Sequence, residues 1–298
     1  MSNSTLHQLR GTGVAIVTPF DEKEQIDFPA LGNIINFLIK GGVEYIVSLG
    51  TTGETPVLDK SEKKDILQFT YETVAGRIPV VAGIGGNYTK AVIQELEQLP
   101  LDKAAAILSV SPAYNKPSQE GIYLHFRSMA ESSPLPILLY NVPGRTGRNM
   151  TADTTLRLAA LSNVVGIKEA SGMMDQCAVI LQEKPENFLV ISGDDALSLP
   201  LLAAGMDGVI SVAANAYPAA FSSMVRYCLE GNFDQARIIN NRLLPVYDLL
   251  FAENNPAGVK AFLHLQGLLK NQLRLPLVPL SQPIFDNVQK CWEALQNN

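Results

Sequence analysis

The sequence predicts an α/β protein built as a (β/α)8 barrel of the TIM type with a C-terminal helical appendage, and three observations carry that prediction. Eight short β-branched runs recur at intervals of about 20 to 35 residues and alternate with longer amphipathic stretches, the βα pattern of a parallel sheet. No GxGxxG follows the first run, and the notable polar residues stand at the ends of many runs rather than around one crevice, which disfavours a doubly wound open sheet. After Gly231 the runs cease and only helix-like segments follow.

In chain order the predicted strands are 14–17, 45–48, 79–82, 106–109, 137–140, 164–168, 189–192 and 208–212. Each is a short apolar run closed by turn-forming residues, too short for a helix and rich in Val, Ile and Leu. Between them, 28–40, 61–75, 89–98, 121–132, 151–162 and 196–204 read as helices. The barrel is expected over residues 1–231. The segments 232–253, 256–269 and 283–296 form a helical region, 232–298, too short to stand as a separate domain and expected to pack on the barrel.

Of 298 residues, 47% are hydrophobic and 17% charged, the composition of a folded globular chain rather than a disordered or fibrous one. A net charge of −6 and a pI near 5.2 give no electrostatic reason to expect nucleic acid or an anionic membrane as partner. Cys177, Cys228 and Cys291 are far apart, and so are His7, His125 and His264, so no metal is expected and no cofactor motif stands out. Residues 1–10 are polar without an apolar leader core, and no run approaches a membrane span; a cytoplasmic location is expected.

In such a barrel the active site lies at the C-terminal ends of the strands, so the residues there are the candidates. Lys168 closes the run Val164-Val165-Gly166-Ile167 and precedes Glu169-Ala170-Ser171-Gly172. Burial at a strand end disfavours an ammonium, and a neutral amine there is the usual starting point for a Schiff base with a carbonyl substrate. Taken alone it reads rather as a solvated or Glu-paired lysine at a loop edge, since most lysines sit on the surface. After the second strand, Gly50-Thr51-Thr52-Gly53-Glu54 offers two hydroxyls and backbone N–H groups to a small anion, or is an ordinary βα turn with a capping threonine.

The fifth strand leads into Tyr140-Asn141-Val142-Pro143-Gly144-Arg145. Tyr140 can relay protons or be a core aromatic, and Arg145 can fork onto a carboxylate or be a solvated charge on a tight turn. Tyr114, carried outward on a proline-punctuated loop, suits a lid or a subunit contact. Gly193 leaves space at the mouth, Ile210 can supply an apolar wall, and Asp194 and Asp195 read as caps of the following helix.

Together these segments resemble the dihydrodipicolinate synthase and N-acetylneuraminate lyase family of Schiff-base aldolases. The matching stretches are 13–19, 50–54, 114–121, 140–147, 166–170, 192–195 and 208–215, with Asn255-Pro256 and Val259-Lys260 continuing the likeness into the tail. The resemblance implies that Lys168 forms a Schiff base with pyruvate, whose carboxylate rests on Thr51 and Thr52. It further implies that the derived enamine attacks the aldehyde of L-aspartate 4-semialdehyde, after which cyclisation displaces Lys168 and releases hydroxytetrahydrodipicolinate. Tyr140, Thr51 and Tyr114 fall on the family's proton relay, Arg145 on the position that binds the aldehyde's carboxylate, and Gly193 and Ile210 on positions lining the pyruvate pocket. Arg145 favours a carboxylate-bearing aldehyde over a neutral sugar. A pyruvate-dependent aldolase or dehydratase of keto-deoxy sugar acids remains the alternative, and a catalytically silent barrel is a third reading, which would have no need of all five of Lys168, Tyr140, Thr51, Tyr114 and Arg145.

The resemblance also implies assembly. Tyr114 reaches a neighbouring subunit's site in the family, so a dimer is the minimal unit and a homotetramer, a dimer of dimers, is expected. Members inhibited by lysine commonly carry two histidines, a glutamate and a Tyr-Tyr pair where this chain has Lys60 and Lys63, Ala91, and Ala113 before Tyr114; Asn87 alone matches. Two added cations and a lost carboxylate repel a cationic effector, so lysine inhibition is expected to be weak or absent.

Overall fold

In the computed structural model, which describes residues 8–296, eight parallel strands pair in chain order and close on themselves, β8 against β1. His7 and the outermost residues of both predicted regions lie outside the described residues. The strands are β1 (Gly11–Ala15), β2 (Tyr45–Ser48), β3 (Val80–Gly83), β4 (Ala106–Val110), β5 (Ile137–Asn141), β6 (Val164–Glu169), β7 (Leu189–Ser192) and β8 (Gly208–Ser211). The predicted (β/α)8 architecture is present. β1 departs from its predicted bounds, beginning at Gly11 rather than Val14, because Gly-Thr-Gly is not an apolar run. Gly13 is nevertheless required inside the barrel, where a Cβ would come within 2.2 Å of the Tyr45 ring.

The strand residues sort into two apolar layers by their period of two. Tyr45, Val47, Leu108, Leu138, Tyr140, Ile191 and Ile210 belong to a cluster inside the barrel, whereas Val14, Ile46, Ile107, Leu139, Ile167 and Val190 join the larger core under the helices. Because both faces are covered, the strands read as continuous apolar runs rather than alternating ones.

The helices that cover the barrel are α1 (Phe28–Lys40), α2 (Lys60–Val74), α3 (Thr89–Gln98), α4 (Gln119–Ser132), the single turn α5 (Pro143–Thr146), α6 (Ala152–Ala159), α7 (Met174–Glu183), α8 (Ser198–Ala203) and α9 (Pro218–Leu229). Their starts follow local chemistry. Asp27 accepts from the Ala30 N–H to cap α1, and Asp59 and Glu62 form a reciprocal capping box at α2. The tail adds α10 (Phe233–Phe251), which packs along α9, then α11 (Ala257–Leu265) and α12 (Gln282–Gln296), which pack on each other. Among the described residues no helix is long and apolar enough to cross a membrane.

Candidate active site

β6 delivers Lys168 into the mouth of the barrel. In its register Lys168 lies between Tyr140 of β5 and Ile191 of β7, and since Ile167 faces the helix layer, Lys168 faces inward. It is 5% exposed, and its ammonium nitrogen stands 4.5 Å from the centroid of the Tyr140 ring. The neighbouring Glu169 turns away: its carboxylate accepts from Asn141 Nδ2 (3.0 and 3.1 Å), Gln176 Nε2 (3.1 Å) and the Ser171 N–H (2.7 Å). The Glu-paired reading of Lys168 therefore falls, and so does the solvated one. Gly193 makes room for it, since a Cβ there would sit 2.8 Å from Lys168 Cε.

The loop after β2 winds into a 3-10 turn, Thr51–Gly53, bracketed by two non-glycine residues in the left-handed region, Leu49 (φ 60) and Glu54 (φ 54). Backbone held this way costs of order 1–3 kcal/mol per residue and persists only where the surroundings over-determine it. Here they do. Thr18 Oγ1 donates to Gly53 O (2.7 Å), Thr55 Oγ1 donates to Gly50 O (2.9 Å), and Asn255 Nδ2 donates to Thr52 Oγ1 (3.0 Å). Receiving that bond leaves the Thr52 hydroxyl proton available to donate to an anion.

Two adjoining cavities, of about 570 and 420 Å³, open at this end, and Thr51, Tyr140, Arg145, Lys168 and Asn255 line both. Gly193 and Thr52 line the smaller one. Arg145 is steered by the tail, its Nη2 donating to Asn254 Oδ1 (3.1 Å) and Asn255 O (3.4 Å). Ile210 lies deeper, fully buried in the inner cluster, and borders neither cavity. Tyr114 is 91% exposed at φ 68 and also borders neither. A third cavity of about 580 Å³ sits at the opposite end, where β3 and β4 begin, lined by Tyr71, Arg77 and Asp102. It lies at the barrel face that carries stability rather than chemistry.

The Dihydrodipicolinate synthetase family model matches residues 8–295. The chain belongs to the dihydrodipicolinate synthetase family. It is 49% identical over 288 residues to the 4-hydroxy-tetrahydrodipicolinate synthase of Parabacteroides distasonis, covering 96% of this chain and 97% of that one. It is 51% identical over 276 residues to the synthase of Porphyromonas gingivalis, with 92% and 93% covered. The dihydrodipicolinate synthase structure from Thermotoga maritima superposes with a TM-score of 0.95 at 39% identity, covering 97% of this chain and 99% of that one. This member of the dihydrodipicolinate synthetase family is thus a lyase of the Schiff-base aldolase class.

One expectation for this family member needs correction. Asp195 does not cap α8, whose first turn begins three residues later; it is buried and accepts from the Val212 (3.0 Å) and Ala213 (2.8 Å) N–H groups, tying the β7 exit to the β8 exit. Burial pushes its carboxyl up to about 6, against the hydrogen bonds that favour the anion. Asp194 alone serves the turn, accepting from the Leu197 N–H (3.1 Å). At the regulatory positions, Lys63 bonds Glu95 at 2.8 Å, one turn along α3 from Ala91, and lines the larger cavity.

Sequence reasoning passed over Asn254 and gave no role to Asn255 or Lys260, because nothing local marks them. Their partners, Arg145, Thr52 and Glu54, lie more than a hundred residues away in the chain. The resemblance at 255–256 and 259–260 was the one available signal.

Proposed function

We propose that the chain is a 4-hydroxy-tetrahydrodipicolinate synthase that condenses pyruvate with L-aspartate 4-semialdehyde through a Schiff base on Lys168. The observation that carries this reading is the buried Lys168 sharing one cavity with Thr51, Tyr140 and Arg145. The amine adds to C2 of pyruvate while Thr51 and Thr52 receive the carboxylate. Loss of water gives the imine, and loss of a C3 proton gives the enamine that attacks the aldehyde carbon. Tyr140 and Thr51 move protons to and from the carbinolamine oxygen without setting a second charge beside the amine. Curated relatives at 48–51% identity bear the synthase name, so the sugar-acid alternative is not favoured. Coupled turnover with both substrates tests the reading directly; its absence, with an intact fold, would overturn it.

Arg145 receives the carboxylate of the aldehyde substrate in this scheme. Arg145→Leu should lower kcat/KM for aspartate semialdehyde by about 10- to 150-fold, the worth of a hydrogen bond to a charged group. Imine formation with pyruvate alone should be unchanged, and a matching loss in both would reassign Arg145 to pyruvate.

The assembly is a homotetramer, a dimer of dimers, in which Tyr114 enters a neighbouring site; its exposure and its place outside both cavities of its own barrel support this. Residues 1–231 form the catalytic barrel and 232–298 its helical region, and the chain works in the cytoplasm. Lysine inhibits weakly or not at all. Lys60 remains at one regulatory position, Ala91 offers no carboxylate at another, and Glu95 is engaged by Lys63. Inhibition at micromolar lysine in a titration would refute this.

A further inference from the structure

We infer that the buried ion pair between Glu54 and Lys260 is a positioning device, through which the C-terminal region sets Thr51 and Thr52 against the substrate's carboxylate. The inference rests on the Schiff-base reading of Lys168 and extends it to residues that touch no substrate.

The pair closes the loop from below. Both side chains are fully shielded from solvent, and Lys260 Nζ meets Glu54 Oε1 while donating to Gln272 O at 2.9 Å. The same ammonium stands 4.4 Å from the ring of Phe20, the buried residue that follows Thr18 and Pro19 at the exit of β1. Glu54 Oε2 accepts from the Arg274 N–H at 3.2 Å, 220 residues away in the chain. Arg274 then reaches Glu62 of α2, Val57 O and Glu24 O. Glu54 is thus gripped by α11 and by the segment before α12, and it holds the left-handed φ of 54 that ends the Thr51–Gly53 turn.

Geometry, rather than stability, is what such a pair supplies. Removing two charges from water cancels most of their attraction, so a fully buried pair adds little net folding energy, and apolar residues of similar size often do as well. Burial pushes Lys260 down to about 8 even though the Glu54 carboxylate beside it pulls the other way, so the pairing does not make up what desolvation costs. What apolar residues cannot do is fix the Glu54 carboxylate at one point. That point determines where the preceding turn lies, and with it the N–H and hydroxyl groups at Thr51 and Thr52. Asn255, from the same tail, completes the arrangement by orienting the Thr52 hydroxyl.

The test separates position from stability. Glu54→Asp keeps the charge but shortens the reach by one methylene, and the double variant E54Q/K260M removes both charges at similar volume. In both, the KM for pyruvate should rise at least about tenfold, a fraction of what charged hydrogen bonds are worth. The rate of borohydride trapping at low pyruvate should fall in step, while the KM for aspartate semialdehyde, whose carboxylate is received by Arg145, stays within about threefold. A wild-type pyruvate KM in either folded variant, whatever its melting temperature, overturns the inference. Should neither variant fold, hydrogen exchange on the unmodified protein decides. Reduction of the pyruvate adduct should protect 51–55 and 257–275 together, and an unchanged tail would overturn the inference. Absence of any adduct in the unmodified protein would instead sink the Schiff-base reading.

Discussion

Lys168→Met should lose at least about 10⁴-fold in turnover with pyruvate and aspartate semialdehyde, the scale on which removal of a nucleophile acts. It should also abolish the borohydride-trapped pyruvate adduct. The substitution keeps length and apolar bulk and removes only the amine, so the barrel should stay folded. Its specificity comes from the cavity itself. Two lysines line the larger cavity, but the ammonium of Lys63 is committed to Glu95, whereas Lys168 has the Tyr140 ring beside it and a neighbouring carboxylate that has turned away. Mass spectrometry of the trapped wild-type protein should therefore place the added mass on the peptide containing Lys168. An adduct that persists in Lys168→Met would move the chemistry to another amine.

Tyr140→Phe should reduce kcat by about 10²- to 10⁴-fold, the range for a lost proton donor and acceptor. The ring packs in the inner cluster and stays, so the change removes one hydroxyl from the cavity wall and leaves the interior intact. Dehydration of the carbinolamine needs a proton delivered to the departing oxygen, and without the phenol it must come from the Thr51 hydroxyl or from water, both weaker acids. The pyruvate KM should change little, because the carboxylate cradle lies on the other loop. Trapping should be slower yet reach the same final extent. A kcat within threefold of wild type would mean that the proton travels by a route without Tyr140.

The eight strands were legible because a barrel strand covered on both faces has to be apolar along its whole length, and few other elements are so short and so apolar. Lys168 was legible for the converse reason: a charge that ends such a run breaks its pattern. β1 was misplaced by the same logic, since the barrel interior demands Gly13 beside Tyr45 and a glycine carries no apolar signal. Asp195 read as a helix cap because Asp before a helical stretch has that meaning locally, while its actual partners sit on β8's exit, 17 and 18 residues on. Glu95 escaped notice because it stands one helical turn beyond Ala91, the position the family pattern singles out, and its partner Lys63 lies on another helix. The remaining site residues, Asn254 and Asn255, take their meaning from chain-distant partners that only folding brings to them.

The reach of the tail into the site has a consequence for the order in which the protein is made. A ribosome finishes β6 and Lys168 long before it reaches Asn255, Lys260 and Arg274. Domains fold as they emerge, N-terminal portion first. A chain ended after β8 would thus carry Lys168 while the loop proposed to receive the pyruvate carboxylate lacked the bonds from Asn255, Lys260 and Arg274. Selection among keto acids would be poorly governed in such a chain, and synthesis of the last helices would be the step that makes the buried amine selective.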